Sequence, residues 1–190
     1  PKATPGAPFT IVWLPDTQYY VEEPPVHGGT PAMFNSQTTW AVNNEGAENI
    51  VYVGQLGDCV EHGDYPSNPP LGIIEWNRAK TAMYALEPPE IPYGVCAGNH
   101  DQSPIGDPNG TTNGYNDAFG VAHFTGRPYY GGHNGSNNDN HYQLFSASGL
   151  DFMVFSFEYD QSAAFNAGGG ALDWAEALVV ANPNKKVIVM

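Results

Sequence analysis

Apolar residues follow two rhythms along this chain. Short runs rich in β-branched and aromatic residues stop abruptly at Pro, Gly or an acid. Longer stretches space their apolar positions by three and four. Residues 9–14 (FTIVWL) form a run of the first kind, which predicts a buried strand ending at Pro15-Asp16. Thr30-Pro31 then supplies a helix start, and the spacing of Phe34, Thr38, Ala41 and Val42 predicts a helix over 31–48. Residues 50–56 (IVYVGQL) read as a second strand, closed by Gly57-Asp58. After Pro69-Pro70, a helix over 71–86 carries Ile74, Ala79, Ala82, Met83 and Leu86 on one face. A third strand, 93–97, runs into Gly98-Asn99-His100-Asp101.

Strand, helix, strand, helix, strand is the pattern of βαβ units and predicts a parallel sheet. Parallel strands deliver their C-terminal ends to one rim, where ligands tend to bind. Asp16, Asp58 and Asn99 each lie just past a predicted strand, separated by 42 and 41 residues. They are therefore expected to converge.

The second half is less regular. Over residues 102–141 Gly, Asn, Pro and Tyr dominate and periodicity fades, so a long irregular insertion is expected there. Two strands, 142–146 and 152–157, follow as a hairpin, then a helix over 171–181 and an apolar strand beginning at Lys186. Residues 1–8 read as a linker or trimmed start, and 9–190 as one incomplete domain, since a strand without a following turn suggests a fragment. Trp40, Trp76 and Trp174 fall on helix patterns and are expected in the core.

Composition narrows the class. With 41% hydrophobic and 13% aromatic residues, the 190-residue chain can build a real core. Twenty acids oppose six Lys and Arg, a formal charge of −14, which argues against nucleic acid and anionic membrane surfaces and suits cations. No apolar run approaches the roughly 18 residues that cross a bilayer, so no membrane insertion is expected. Self-association or a C-terminal partner segment stays open. Few lysines, together with two Asn-Gly-Thr/Ser stretches at Asn109 and Asn134, lean toward a secreted, periplasmic or cell-surface protein. Cys59 and Cys96 are read either as a bridge or as two buried thiols.

Asp16, Gln18, Asp58 and Asn99 offer oxygen donors without a thiolate, as hard and borderline divalent cations require. If strand geometry continues past Pro15, Asp16 and Gln18 point to the same side. Asp16-Thr17-Gln18, Gly57-Asp58-Cys59-Val60-Glu61-His62-Gly63 and Gly98-Asn99-His100-Asp101, in this order and spacing, resemble the three N-terminal signatures of the calcineurin-like metallophosphoesterases. The first signature resembles the branch in which Gln18 replaces a histidine.

The resemblance implies an α/β fold, a β-sandwich flanked by helices, here without its C-terminal part. It implies a phosphoesterase that hydrolyses a phosphomonoester or phosphodiester by attack of metal-activated water. Two divalent ions (Mn, Fe, Zn, Mg or Ca) would be held by Asp16, Gln18, Asp58 as the bridge, and Asn99. His100 would act on the leaving oxygen, oriented by Glu61 or by its rival Asp101. His62, Asn99 and Tyr19 would contact a small phosphate ester. His62 stands where many relatives carry a phosphate-gripping Arg. The later His and Gly-His-x-His motifs of the family do not occur in these residues. A non-catalytic structural protein on the same scaffold, or a plain metal-binding module, is therefore kept as an alternative. His27, His123, His133 and His141 read as polar loop residues, and Tyr19, Tyr20, Tyr129 and Tyr130 as either a pocket mouth or local packing.

Overall fold

Three parallel strands, β1 (Thr10–Leu14), β2 (Ile50–Gln55) and β3 (Tyr93–Val95), form one sheet in the order β1-β2-β3. The computed structural model describes residues 6–63, 70–160 and 169–190. Between the first two strands lie a four-residue helix α1 (Gln18–Val21) and the longer α2 (Pro31–Asn44); between the second and third lies α3 (Leu71–Met83), extended by a 3₁₀ turn over Tyr84–Leu86. Thr30 is extended at the entrance of α2 and Pro31 occupies its first position, where the missing N–H costs nothing. The helix ends four residues earlier than its spacing predicts.

Helices α2 and α3 pack on each other and, with the sheet, enclose a cluster that includes Phe34, Ala41, Val53, Trp76, Ala79, Met83, Leu86 and Val95. Trp40 departs from expectation: it is 48% exposed. Phe34, Thr38 and Ala41 face the core, and a residue two places from Thr38 falls on the opposite side of a 3.6-residue turn.

Residues 102–141 are more ordered than their composition predicts. They contain α4 (Asn113–Phe119), α5 (Val121–Phe124) and β4 (Tyr130–His133). Tyr115, Ala118 and Phe119 stand at helical spacing and are buried with Phe124 and Tyr129 in the same core cluster. The glycines that hide this pattern serve packing. A Cβ on Gly114 would come within 2.2 Å of the Trp76 indole nitrogen, so only glycine lets α4 lie this close to α3.

A second sheet has the order β4-β5-β6-β7, with β5 (His141–Ala147) and β6 (Leu150–Ser156) as the expected hairpin and β7 (Lys186–Val189) parallel to β6 at one edge. Ser148 and Gly149 make the two-residue turn, both at positive φ (52° and 78°), which matches strand twist. The sheets face each other through Val51, Tyr52, Phe145, Ala147, Phe152 and Val154. Helix α6 (Ala171–Ala181) covers the far face of the second sheet through Ala175, Trp174 and Leu178 against Met153 and Phe155. The molecule is thus α/β, two sheets stacked between helices, as the resemblance implies for the fold class.

Candidate functional site

The strands of the first sheet end in register: Leu14 pairs with Gln55, and Gln55 with Val95. The chain therefore leaves β1, β2 and β3 at one rim. Asp16, Asp58 and Asn99 line a single open cleft of about 440 Å³ there. The convergence expected from strand order is present.

Close stitching holds the three loops together. Gln55, fully buried at the end of β2, donates to the Gly57 carbonyl at 2.9 Å and the Thr17 hydroxyl at 3.2 Å, and accepts from Gly57 N–H at 2.8 Å. Gly57 (φ 98°) and Asp58 (φ 49°) both occupy the left-handed region. For aspartate that conformation stores strain, a recurrent mark of functional turns. The left-handed turn brings Asp58 against the third loop. Its Oδ1 accepts the His100 backbone N–H at 2.8 Å, and a Cβ on Gly98 would lie 2.2 Å from both Asp58 N and Oδ1. Glycine at position 98 is thus what lets the second and third loops touch.

His100 is backed by Glu61: Nδ1 stands 3.2 Å from the Glu61 backbone carbonyl and 3.3 Å from Oε2. The same carboxylate oxygen accepts from Gln18 Nε2 at 2.6 Å. Asp16 Oδ1 accepts the Gln18 backbone N–H at 2.9 Å. Burial pushes the Asp16 carboxyl above its usual range; the Gln18 N–H opposes the rise, the negative charge of Asp58 adds to it, His100 offsets part, and Glu61 adds again. Like charges crowded into one cleft are an arrangement that a bound cation relieves.

The structure separates some residues that the sequence grouped. β1 ends at Leu14 and α1 begins at Gln18, so strand alternation does not carry Asp16 and Gln18 to one side. Gln18 is buried against Glu61 and does not line the cleft. Asp101 is fully buried and accepts N–H bonds from Gly98 (2.8 Å), Cys59 (3.0 Å) and Val60 (3.3 Å). It clasps the second loop to the third, and Glu61 is the carboxylate beside the His100 ring. Burial pushes the Asp101 carboxyl up to about 8. His62 Nδ1 faces Glu75 Oε1 at 2.8 Å, and Tyr19 stacks on His27 with ring centres 4.0 Å apart; neither lines the cleft. Tyr20, Tyr129 and Tyr130 do not line it either.

The loop histidines have local partners. His27 meets Glu22, His123 meets Glu87, His133 meets the Tyr130 hydroxyl, and buried His141 meets the Asn138 carbonyl. Cys59 and Cys96 are buried free thiols, raised in pKa by burial.

Glu158 escaped the sequence reading. It lines the cleft, accepts from Gln102 Nε2 at 2.9 Å, and burial with the charge of Asp139 pushes it up to about 7. Its signal was available, because it lies just past a strand end, as Asp16 and Asp58 do.

The cleft donors are three carboxylates, Asp16, Asp58 and Glu158, and the Asn99 amide. Among the described residues no group of three or more His, Cys, Asp or Glu side chains stands ready to hold a metal ion. Among the same residues no helix is long and apolar enough to cross a membrane.

No protein-family model matches the chain. It is 36% identical over 146 residues to the uncharacterized protein YvnB of Bacillus subtilis (strain 168), a match that covers 77% of this chain. The matched region spans 10% of that relative's length. Among solved structures, a dimetal phosphatase from Danio rerio superposes with a TM-score of 0.47 at 16% identity, covering 96% of this chain and 68% of that one.

Proposed function

We propose that this chain carries the N-terminal half-site of a divalent-metal-dependent phosphoesterase of the calcineurin-like kind. One observation carries the reading: Asp16, Asp58 and Asn99, from three separate loops, line one cleft, beside a histidine backed by a carboxylate. The donors fit a hard cation. They are oxygens, and burial, with the charge of Asp58 adding to it, raises the Asp16 carboxyl. Asp16, Asp58 and Asn99 are the residues that would hold it. A bound divalent ion would supply Lewis acidity toward a phosphate oxygen and a lowered pKa for water.

The chain's own residues do the remaining work. Asp58 uses Oδ1 to fix the His100 backbone, which leaves Oδ2 for a cation. Glu61 faces His100 Nδ1, so Nε2 is the nitrogen left to donate a proton to the departing oxygen, although His100 itself does not line the cleft. Gln18 secures Glu61 rather than serving as a ligand. Asp101 keeps the loops in place.

A small phosphate ester suits the cleft, and a secreted or surface location suits the composition. A second reading, a metal-binding scaffold without turnover, is favoured by the thin donor set, since Asp16, Asp58, Asn99 and Glu158 line the cleft with no histidine among them. Assay of the purified chain with Mn²⁺ and a chromogenic phosphodiester separates the two. Hydrolysis that disappears in Asp58→Ala and His100→Ala supports the enzyme. No hydrolysis by the parent chain, with Mn²⁺ binding retained, supports the scaffold.

A further inference from the structure

Helix α3 carries one feature that its apolar stripe does not predict. Its buried face comprises Gly72, Glu75, Trp76, Ala79, Ala82 and Met83, and Glu75 is 0% exposed. A carboxylate taken from water needs partners. Glu75 has four: three on the second loop, at Glu61 and His62, and one at Glu23, just past α1. Oε2 accepts the backbone N–H groups of Glu61 (3.1 Å) and His62 (2.7 Å). Oε1 accepts the backbone N–H of Glu23 (2.8 Å) and meets His62 Nδ1 (2.8 Å).

We propose that Glu75 is a positioning residue that sets the orientation of the His100 imidazole through Glu61. This rests on the reading of His100 given above. The clamp acts on the backbone of Glu61, whose carbonyl (3.2 Å) and carboxylate (3.3 Å) both face His100 Nδ1 and whose carboxylate accepts from Gln18 Nε2. No intervening residue can absorb slack. Glu75 does not line the cleft, so its influence is indirect. Its reach to Glu23, just past α1, ties the connection between α1 and α2 to the second loop as well.

Glutamine at position 75 keeps the shape but replaces one acceptor oxygen with an NH₂ that opposes the surrounding donors. The test uses metal-free protein first. Imidazole ¹⁵N signals of His100, assigned by comparison with His100→Gln, are recorded in the parent chain, Glu61→Gln, Glu75→Gln and Glu75→Asp. The expected result is a shift in Glu75→Gln in the direction produced by Glu61→Gln, partly restored in Glu75→Asp, and none in the remote control Glu87→Gln. His100 signals unchanged in Glu75→Gln would overturn the proposal. If Glu75→Gln does not fold, Glu75→Asp alone decides on the same criterion.

Kinetics with Mn²⁺ supply the second arm. Glu75→Gln should lower kcat about tenfold at similar KM, as loss of a group that orients a site residue does. Added to Glu61→Gln it should cost less than about twofold more, because both changes act on one linkage. Factors that simply multiply would mark Glu75 as structural. A parent chain without turnover would remove the enzyme reading, while the metal-free signals would still decide the role of Glu75.

Discussion

Two clusters of ionisable side chains lie at opposite ends of the first sheet, and they are balanced differently. At the N-terminal end, where Tyr93 opens β3, Glu87 Oε1 meets three partners at 2.8 Å each: Arg127, His123 and the Tyr93 hydroxyl. His123 also stacks on Tyr84 with ring centres 4.5 Å apart. One carboxylate faces an arginine, an imidazole and a phenol, so the charge is answered from within. At the C-terminal rim Asp16, Asp58 and Glu61 crowd together with His100 as the one basic group acting on Asp16. Both clusters are dense and partly buried. Both border open space, and of the two the rim is the one with a surplus of one sign beside it. Density of titratable groups is thus a poor guide to function here, and uncompensated charge beside open space is a better one.

That contrast can be tested from its strongest consequence downward. Replacing Asp58 with Asn should abolish Mn²⁺-induced stabilisation and lower affinity by more than about 100-fold, beyond what loss of a supporting residue costs. In the parent chain, Mn²⁺ at 100 times its Kd should add about 2.7 kcal/mol of stability. Calorimetric titration and thermal melts with and without Mn²⁺ read both. An equal rise in melting temperature in Asp58→Asn would erase the distinction between the clusters.

Gly98→Ala should come next. The added methyl would press on Asp58 N and Oδ1 and should cost about 1–3 kcal/mol, with weakened Mn²⁺ binding as the loops separate. Urea unfolding measures the first effect. A variant as stable as the parent would mean that the second and third loops are not in contact as described.

Glu87→Gln should cost about 2 kcal/mol, because three charge-assisted contacts weaken together, and should leave Mn²⁺ affinity unchanged. A change in Mn²⁺ affinity would show that the compensated cluster is coupled to the rim.

The smallest effect concerns pH. Burial lowers the His123 pKa from 6.5, Glu87 opposes the shift, and Arg127 adds to it. A depressed imidazole stabilises the fold fully above its unfolded pKa and loses that contribution as pH falls through the folded value. Stability should therefore decline below about pH 6.5. His123→Gln should flatten part of the decline in urea midpoints measured between pH 7 and pH 5; an unchanged slope would assign the acid sensitivity to other groups.

Much of the first sheet was legible in advance because each of its strands is a short apolar run that ends at a chain-breaking residue. Asp16, Asp58 and Asn99 were legible for the same reason: a polar residue just past a strand end has its position set by the sheet. Glu158 obeys that rule and was found only in the coordinates. Residues 102–141 were misread because composition masked spacing. Tyr115, Ala118 and Phe119 had a helical interval, but glycine and asparagine around them suggested a loop, and Gly114 proves to be a contact with Trp76. Trp40 was misread in the opposite sense, since a large apolar residue was placed inside although its helical phase points outward.

The linear order of residues determined that three loops would leave parallel strands together, because short apolar runs and three-to-four spacing fix element type and strand polarity fixes the shared rim. The sequence alone did not decide which carboxylate serves which role. The resemblance offered Glu61 as the partner of His100 with Asp101 as its rival, and Gln18 as a co-ligand with Asp16. Those choices depend on a left-handed turn at Asp58, a glycine contact at Gly98 and a buried clamp at Glu75, each set by packing between segments distant in the chain. Hydrogen-bond direction and burial belong to the folded neighbourhood, so they became visible only when the chain was closed on itself.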